Sequence, residues 1–419
     1  MNTKFKRNIK IGYAYNFFLQ LNITSAIWVL YLSFKGMSLA EIGILESIYH
    51  ITGLLFELPT GAIADLHGRK FCVVLGRAVN LLSCILMITS KSFMGFAVSF
   101  ILSSAAMNLN SGAAEALIFD SLKELGEEDR YKKIWGQLAF VMSMSQGTAV
   151  LLGGILADIR FLYAYIFGTF VQMLALIVAF NFSEPTIHKP YMDKHEENRS
   201  GKILMDQLTL SIQALKGRKT VMYAILFSAL TGSLQTTVFF YSQKYFSDMG
   251  LTKTIIAVIC AFGSFIEAIS SKYAYSLEKK VRLKGTLICI CALSIISLAG
   301  LALWRKYSVL FYIMTTVSGG FAYTIMSDYI NSRIPSAYRA TILSFDSFSF
   351  SLFMIFLFPL FGFMAQRTGF EATFGATALI CIPLMIFLTN RLTWHDNEDV
   401  KNVKVLEKQD EPIAARQIS

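Results

Sequence analysis

Acidic side chains stand inside several long apolar segments of this chain. The segment 41–64 contains Glu46, His50 and Glu57. Glu57 follows Glu46 by 11 residues, which is close to three turns of an α-helix, so these three side chains share one helical stripe. An acidic residue at the centre of a membrane-spanning helix costs about 2.5–3.5 kcal/mol. We therefore expect the stripe to face protein or water and to mark a path for a substrate or protons.

Glu115 is the acid that we rank first as a group that exchanges protons or binds a cation. It shares one helix face with Asn108 and Ser111, at three- and four-residue spacing. We predict that Glu115 is buried, because a carboxyl group in a low-dielectric interior keeps its proton up towards neutral pH. Glu57 ranks second and Asp346 third in this role. The alternative for each acid is a static contact with a neighbouring helix.

Further polar residues in apolar runs complete the predicted substrate- or proton-binding set. They are Glu267, Asn16, Gln20 and Gln235. Glu57 has one specific alternative, because it could form a static ion pair with Arg77 of the next apolar run.

The composition indicates that helices in a membrane position these residues. Hydrophobic residues form 54% of the 419 residues, charged residues only 16%, and the mean hydropathy is +0.52; a soluble domain carries about 25% charged residues. A bilayer-spanning helix needs about 20 apolar residues, whereas a barrel strand needs about 10. The sequence therefore predicts an all-α integral membrane protein with twelve transmembrane helices. The predicted spans are 11–33, 41–64, 71–90, 93–120, 133–157, 160–183, 220–246, 252–275, 283–303, 308–332, 339–365 and 370–390.

The loops indicate the orientation of the chain in a cell membrane. With both termini in the cytoplasm, 29 of the 38 Lys and Arg residues fall in cytoplasmic segments and eight fall outside. Cytoplasmic loops of membrane proteins carry such an excess. The net charge of +10 is thereby explained by contact with anionic lipid, and we expect no nucleic-acid partner.

A polar stretch divides the spans into two groups of six. We predict a six-helix bundle at 1–183, a cytoplasmic linker at 184–219, a second six-helix bundle at 220–390 and a cytoplasmic tail at 391–419. A short surface helix is expected within the linker, and the polar part of the tail from Asn397 to Ser419 is expected to be disordered. The halves are weakly alike, because Ser111-Gly112 in span 4 corresponds to Ser318-Gly319 in span 10.

The loop after the second span reads Gly61-Ala-Ile-Ala-Asp65-Leu-His-Gly68-Arg69-Lys70. Gly61 permits close helix packing at the end of the span. Asp65 is a carboxylate at a helix end and needs a cation or a helix N-terminus as its partner. Gly68 permits a sharp turn, and Arg69 and Lys70 stay at the inner interface.

This motif, at this place among twelve spans, resembles the signature of the major facilitator superfamily, in particular of its bacterial drug or metabolite transporters. The resemblance implies two six-helix halves and a central cavity lined by helices 1, 4, 7 and 10. It also implies that Asp65 docks against helix 11, near Arg339, while Arg69 reaches an acid at the end of helix 4, where Asp120 stands. These residues would form a latch that closes the cytoplasmic side during alternating access.

The resemblance implies a secondary transporter for a small molecule, driven by protons. Export of an amphipathic compound or drug in exchange for protons is the first hypothesis, and proton-coupled transport of a metabolite, by symport or export, is the second. The sequence departs from drug–proton antiporters at two places. Asn108 stands where they carry an Arg in span 4, and Ala149-Val150 stands where they carry Gly-Pro in span 5.

Other classes of protein are disfavoured. A membrane enzyme would need a cluster of His and Asp residues in a loop, and a sensor or scaffold would need large soluble segments. The six cysteines lie in apolar runs without metal-ligand spacing, so we expect neither a metal site nor a cofactor. No phosphate-binding Gly-x-x-x-x-Gly-Lys motif is present, and we expect a monomer that needs no ATP.

Overall fold

The computed structural model describes residues 2–185, 219–334 and 339–416, and all regular secondary structure in these ranges is helical. Thirteen α-helices and two single 3₁₀ turns follow one another along the described chain. The helices are α1 (Asn2–Gln20), α2 (Trp28–Phe34), α3 (Leu39–His67), α4 (Arg69–Thr89), α5 (Phe93–Asn110), α6 (Ala113–Glu124), α7 (Tyr131–Ile159), α8 (Phe161–Phe180), α9 (Lys219–Asp248), α10 (Lys253–Leu303), α11 (Ser308–Arg333), α12 (Arg339–Thr368) and α13 (Phe370–Arg416).

Ten helical segments of the described chain are long and apolar enough to cross a membrane. They cover eleven of the predicted spans, because α10 has 51 residues and includes both 252–275 and 283–303. The first predicted span, 11–33, falls on α1 and α2, which are not among the ten. An all-helical membrane fold is therefore present, and the count of twelve spans stays a prediction.

Two predicted spans are interrupted in the structure. The chain leaves the helix between α1 and α2, at residues 21–27, and again between α5 and α6 at Ser111 and Gly112. Gly112 has a φ of +74°, a conformation that glycine adopts at no steric cost. The break changes the direction of α6 relative to α5. It therefore also changes which residues surround the Glu115 side chain, three residues later.

The long helix α10 contains one residue with non-helical backbone angles. Arg282 has φ 59° and ψ 171°, and it lies between the two predicted spans that α10 covers. It is the one non-glycine residue with a positive φ in the described chain. Such a conformation costs about 1–3 kcal/mol, so the surrounding helices must hold the turn in place.

The described chain forms two compact units whose limits fall inside helices. Among the described residues, unit 1 consists of 2–185, 236–265 and 354–370, and unit 2 of 219–235, 266–334, 339–353 and 371–416. In unit 1, α4 packs against α5 and α8, α3 packs against α5, and α1 packs against α6, α7 and α8. The predicted domain limits at 183 and 220 stay predictions.

The core of unit 1 forms where α1, α4, α5, α6 and α8 meet. Its buried residues are Tyr15, Cys72, Val73, Leu109, Ala113, Ala114, Leu117, Ala179 and Phe182. The small alanines permit close approach of helices in an environment where apolar burial alone does not drive association. This core holds the two halves of the broken fourth span, α5 and α6, against α1.

Helices of unit 2 are joined by small and hydroxyl side chains. The Ser294 and Ser318 hydroxyls lie 2.7 Å apart and link α10 to α11. Gly300 admits the Phe311 ring, which would overlap a Cβ at that position. Cys291 Sγ contacts Thr389 Oγ1 of α13 at 3.5 Å. Small residues and interhelical hydrogen bonds of this kind are typical of helix packing in membranes.

The tail differs from its prediction. Disorder was expected from Asn397 to Ser419, whereas α13 continues to Arg416. The stretch from Asp399 to Gln409 contains three Lys residues together with Leu406, Glu407 and Gln409, which favour a helix that extends directly from the preceding turn. The surface helix predicted in the linker lies outside the described residues.

Candidate functional site

The loop between α3 and α4 forms an ion pair with the end of α6. Gly68 begins α4 as its N-cap, with a φ of +91°. This turn places Arg69 so that its Nη1 lies 2.5 Å from Asp120 Oδ2. Both side chains are largely withdrawn from solvent, which strengthens the pair relative to an exposed one. The contact expected between Arg69 and Asp120 is therefore present.

Glu184, which the sequence analysis did not select, completes this loop. Its Oε1 accepts the backbone N–H of Arg69 at 2.8 Å, and its Oε2 accepts that of Lys70 at 2.7 Å. Gly68 has no side chain to cap the first turn of α4, so the carboxylate following α8 supplies the cap. The negative charge also lies at the positive end of the α4 dipole.

Asn8 of α1 is hydrogen-bonded to α6 and to the segment after α8 that contains Glu184. Its side chain is fully buried, and it donates to Ser121 Oγ and to the carbonyl oxygen of Ser183. The Asn8 Oδ1 in turn accepts the backbone N–H of Ser183. Asn8, Ser121 and Ser183 thus fix the ends of α1 and α6 to the segment after α8, beside Glu184.

Three residues of the predicted latch have no described side-chain environment. They are Gly61, Asp65 and Arg339. Their helices α3 and α12 are described, but the docking of Asp65 against the start of α12 lies outside the described residues. Lys70 donates its backbone N–H to Glu184, and Gly68 adopts a positive φ at the turn between α3 and α4.

We expect Glu184→Ala to lower the stability of the purified protein by about 1 kcal/mol, because two helical N–H groups lose their acceptor. The measurement is the thermal unfolding midpoint in detergent. Asp129→Ala is the matched control, since Asp129 is an exposed acid near the same end of α6. An equal decrease in both variants would contradict the capping role.

Glu115 is exposed, so the expectation that it would be buried is wrong. It lies in the first turn of α6, directly after the break at Gly112. The Tyr131 hydroxyl of α7 donates to Glu115 Oε1 at 2.5 Å. The break turns Glu115 to a different side from the one that a continuous fourth helix would give. The carboxyl is therefore held at the α6–α7 contact.

The remaining polar candidates of unit 1 do not converge on one point through the contacts described. Asn108 Nδ2 donates to the Gly53 carbonyl oxygen at 2.6 Å and so joins α5 to α3. Asn16 is buried and donates to the Gly12 carbonyl of its own helix. Gln20 contacts the Met142 sulfur at 4.0 Å. Glu57 is exposed.

Arg77 is a buried cation with an amide partner. It is 4% exposed, and its Nη1 donates to Gln172 Oε1 of α8 at 3.1 Å. Asn80 donates to the same oxygen at 3.0 Å. Within the described ranges Arg77 makes no ion pair, so the alternative pairing of Glu57 with Arg77 is absent.

In unit 2, the structure brings Gln235 and Glu267 together. The Gln235 side chain hydrogen-bonds to the Glu267 carboxyl. The contact forms over the glycine pair of α11: a Cβ on Gly319 would overlap the Gln235 amide, and one on Gly320 would overlap the Glu267 carbonyl oxygen. Both polar residues were expected from the sequence, whereas the glycine pair that holds them together was not.

Asp346 of α12 lies in the same unit. Its Oδ1 is buried, and it has no hydrogen-bond partner among the described residues. In this part of the chain neither Asp346 nor Glu267 forms an ion pair. A buried carboxyl group without a cation is unfavourable in its ionised form. Either a proton or a bound cation would relieve that cost.

At one end of unit 1, α3 packs along α12 in a contact that we term the α3–α12 seam. It consists of Leu39, Gly43 and Ser47 of α3, Pro359 and Gly362 of α12, and Tyr241 of α9. A Cβ on Gly43 would overlap Pro359, and one on Gly362 would overlap the Leu39 carbonyl oxygen. The Tyr241 hydroxyl donates to the Phe358 carbonyl oxygen at 3.1 Å, and Ser47 Oγ donates to the Ile355 carbonyl oxygen at 2.8 Å.

A second contact in unit 1 joins the end of α7 to the start of α10. The Asp158 carboxylate accepts the backbone N–H groups of Lys253 and Thr254, each at 2.7 Å. One turn earlier, a Cβ on Gly154 would overlap Ala257 Cβ and would stand 2.7 Å from the Lys253 carbonyl oxygen. Gly154 therefore permits the approach that lets Asp158 cap α10.

Aromatic rings fill the space beside the α3–α12 seam. Trp28 of α2 stacks on Phe358 with a centroid distance of 6.0 Å. It also makes edge contacts with Phe240 of α9, at 5.1 Å, and Phe100 of α5, at 5.6 Å. The indole is therefore a local reporter of whether α12 and α9 stay in contact with α2.

The residues that sequence reasoning missed share one property, which is a partner distant in sequence. Glu184, Tyr131 and Asp158 each stand at the end or start of a helix, and each contacts another helix end. Their position at span boundaries is the only signal that the sequence offers. Nothing in the sequence specifies which helix end lies opposite.

The ten apolar helices define the class, an integral membrane protein that crosses the bilayer several times. The model of the Major Facilitator Superfamily matches residues 11–352, and the chain belongs to that family. It is consequently a membrane transport protein and not an enzyme.

Individual proteins resemble the chain more distantly. The uncharacterized MFS-type transporter YxaM of Bacillus subtilis (strain 168) is 22% identical over 375 residues, which cover 88% of this chain and 92% of that protein. The structure of the nucleoside transporter NupG has a TM-score of 0.74 at 11% identity and covers 92% of this chain and 98% of its own. That of a D-xylose-proton symporter has a TM-score of 0.65 at 13% identity, covering 90% and 95%.

Proposed function

We propose that the chain is a proton-coupled secondary transporter that exports an amphipathic, positively charged small molecule by alternating access. The observation that carries this proposal is the pair of acids in unit 2. Glu267 and Asp346 lie in apolar helices, and neither forms an ion pair among the described residues. Acids placed in this way mark the paths of protons and cations through membranes.

The proposed mechanism is competition for these carboxyl groups. A proton neutralises a carboxyl group, and a cationic cargo pairs with its ionised form, so one site cannot hold both. Binding of a proton then releases the cargo, and binding of the cargo displaces the proton, which is antiport. The hydrogen bond from Gln235 positions Glu267 for either partner. Glu115, Glu57, Asn108, Asn16 and Gln20 are proposed as further polar contacts along the path.

The loop residues are proposed to govern the cytoplasmic side. Arg69 and Asp120 are paired, and Glu184 holds the first turn of α4 beside them. In our proposal, Asp65 at the end of α3 joins this group to the start of α12, near Arg339. Separation of that contact would open the inner side.

The proposal includes an arrangement in the membrane. Twelve spans form two six-helix halves, 1–183 and 220–390, joined by a linker and followed by a tail on the cytoplasmic side of the cell membrane. The excess of Lys and Arg in the loops on that side supports this orientation. The α3–α12 seam then lies at the outer side. We propose that the protein acts as a monomer, in contact with membrane lipid.

A second candidate function is proton-coupled transport of a polar metabolite, by symport or export. The similarity in fold to a nucleoside transporter and to a D-xylose-proton symporter favours it. The departures at Asn108 and at Ala149-Val150 from the drug–proton antiporter pattern also favour it.

The two candidates are separated in everted membrane vesicles with a respiration-driven, acid-inside pH gradient reported by a quenched acridine dye. We expect ethidium or tetraphenylphosphonium to restore fluorescence in vesicles that contain the protein. Glu267→Gln and Asp346→Asn should reduce the response at least about tenfold, as expected for loss of a charge in the transport path. Glu371→Gln is the control, since Glu371 pairs with Arg305 at a helix end.

Dequenching by nucleosides or pentoses alone would favour the metabolite candidate. A response to the cations that persists in both variants would contradict the roles of Glu267 and Asp346. No response to any cation would contradict the export proposal and leave the family assignment unchanged.

A further inference from the structure

Glu46 and His50 form a buried acid–imidazole pair that the mechanism above does not use. Glu46 is 9% exposed, and its Oε1 lies 3.6 Å from His50 Nε2 one turn along α3. Burial of a lone carboxylate in an apolar interior is costly, whereas an ion pair or a protonated acid is tolerated. A proton on either group would remove the cost of a bare carboxylate while the pair is covered.

The position of this pair relates it to the α3–α12 seam. Glu46 and Ser47 lie three and four residues after Gly43, and His50 lies four and three residues after them, so these residues occupy one face of α3. Gly43 and Ser47 contact Pro359 and the Ile355 carbonyl oxygen of α12. Glu46 and His50 thus lie on the helix face that is covered when the seam is closed.

Few other titratable groups face the pair. Tyr49 and, from α9, Tyr241 lie within electrostatic reach of Glu46. Helix α5, which packs on α3, contains no titratable side chain, and neither does the part of α12 from 354 to 366. Charged groups of the described chain near this end include Lys35 before α3, Glu41 of α3, Lys244 and Asp248 of α9 and Arg367 of α12, and Lys244 and Asp248 form a pair with each other.

We propose that Glu46 and His50 form a proton-binding site that controls the seam, so that uptake of one proton by the pair closes α3 against α9 and α12. When the seam opens, water reaches both groups, the carboxylate is solvated and the imidazole releases its proton. The closed state binds the proton more tightly than the open state, so protons favour closure by mass action. Only the purpose of this site rests on the proposed function: the site would couple proton entry to closure of one side of the transporter.

The sign of the effect of pH follows from this difference. Because the closed seam holds one more proton than the open seam, acid stabilises closure and a rise in pH favours opening.

Acrylamide quenching of Trp28 measures the transition without any cargo. The variant for this measurement retains Trp28 alone, through Trp135→Phe, Trp304→Phe and Trp394→Phe. Trp28 contacts Phe358 and Phe240, which belong to the helices that move. We expect quenching of the purified protein to rise at least about twofold from acid to alkaline pH, as Trp28 becomes accessible.

The two substitutions in the pair should have opposite effects. Glu46→Gln removes the charge that opposes burial, so quenching should stay low at every pH. His50→Gln leaves a carboxylate without its proton-sharing partner, so quenching should stay high through the neutral range. Glu41→Gln is the matched control on α3 and should keep the wild-type transition.

Each outcome decides the proposal. A transition with an unchanged midpoint in Glu46→Gln, or no transition in the parent protein, would overturn it. If Glu46→Gln is not recovered as a monodisperse protein, Glu46→Asp provides the test, since withdrawal of the carboxyl group by one methylene must shift the midpoint. A transport assay that fails for every cargo leaves this result unaffected, so failure of the site and failure of the export proposal are distinguishable.

Discussion

Gly154→Val is expected to expose the capped N-terminus of α10. The new side chain would overlap Ala257 and crowd the Lys253 carbonyl oxygen, so α7 and α10 must separate. Overpacking of this kind costs about 1–3 kcal/mol, and the Asp158 cap on Lys253 and Thr254 is lost with the separation. Hydrogen exchange of these two amides, followed by mass spectrometry, should accelerate about tenfold or more.

The same helix offers a matched control. Gly147 lies two turns earlier in α7, and no atom lies within 4 Å of the position that its Cβ would occupy. Gly147→Val therefore carries the same cost in helix propensity without the clash. Equal exchange rates in the two variants would show that the close approach at Gly154 does not hold α10.

Arg69→Asp is expected to abolish most transport, and exchange of the two charges, Arg69→Asp with Asp120→Arg, is expected to restore part of it. In the single variant Asp120 loses a hydrogen-bonded cation at 2.5 Å and gains a second acid beside it. The loss of a charged hydrogen bond costs about 1.5–3 kcal/mol, equivalent to a decrease of at least about tenfold. The thermal midpoint in detergent should fall by about 4 °C in the single variant.

Restored transport in the double variant is the decisive result, because each single substitution could disturb the loop for reasons other than loss of the ion pair. The double-mutant cycle isolates the interaction between the two side chains. The Glu184 cap uses backbone N–H groups of Arg69 and Lys70, so it survives the exchange of charges. Additive losses in the double variant would mean that the pair does not act as a unit.

The helices were largely predictable because a membrane imposes their length. About 20 apolar residues are needed to cross the bilayer, and each interruption by polar residues marks an end. The break at Gly112 was not predicted, since a glycine within an apolar run is common in membrane helices and its φ of +74° leaves no trace in hydropathy. The helical tail was missed because polarity was taken as a sign of disorder.

The candidate site was predictable in its residue types but not in its contacts. Asp120 was found because the family motif specifies an acid for Arg69. The bond between Gln235 and Glu267 depends on how closely α9 and α10 approach α11, which the glycines at 319 and 320 determine. Glu115 was wrongly predicted to be buried, because its surroundings depend on the break in the helix at Gly112. Local spacing assigns a residue to a helix face, whereas tertiary packing decides what covers that face.

The α3–α12 seam is made of contacts with a very short range. The contacts described for it are glycine against backbone and hydroxyl groups against carbonyl oxygens, and none of these involves a full charge. Dispersion attraction loses a quarter to a half of its strength over a gap of about 0.5–1 Å, so a slightly parted seam retains little attraction. We therefore expect such a joint to have no stable half-open state. The chain would pass from sealed to separated in one step and would leak few ions during the change.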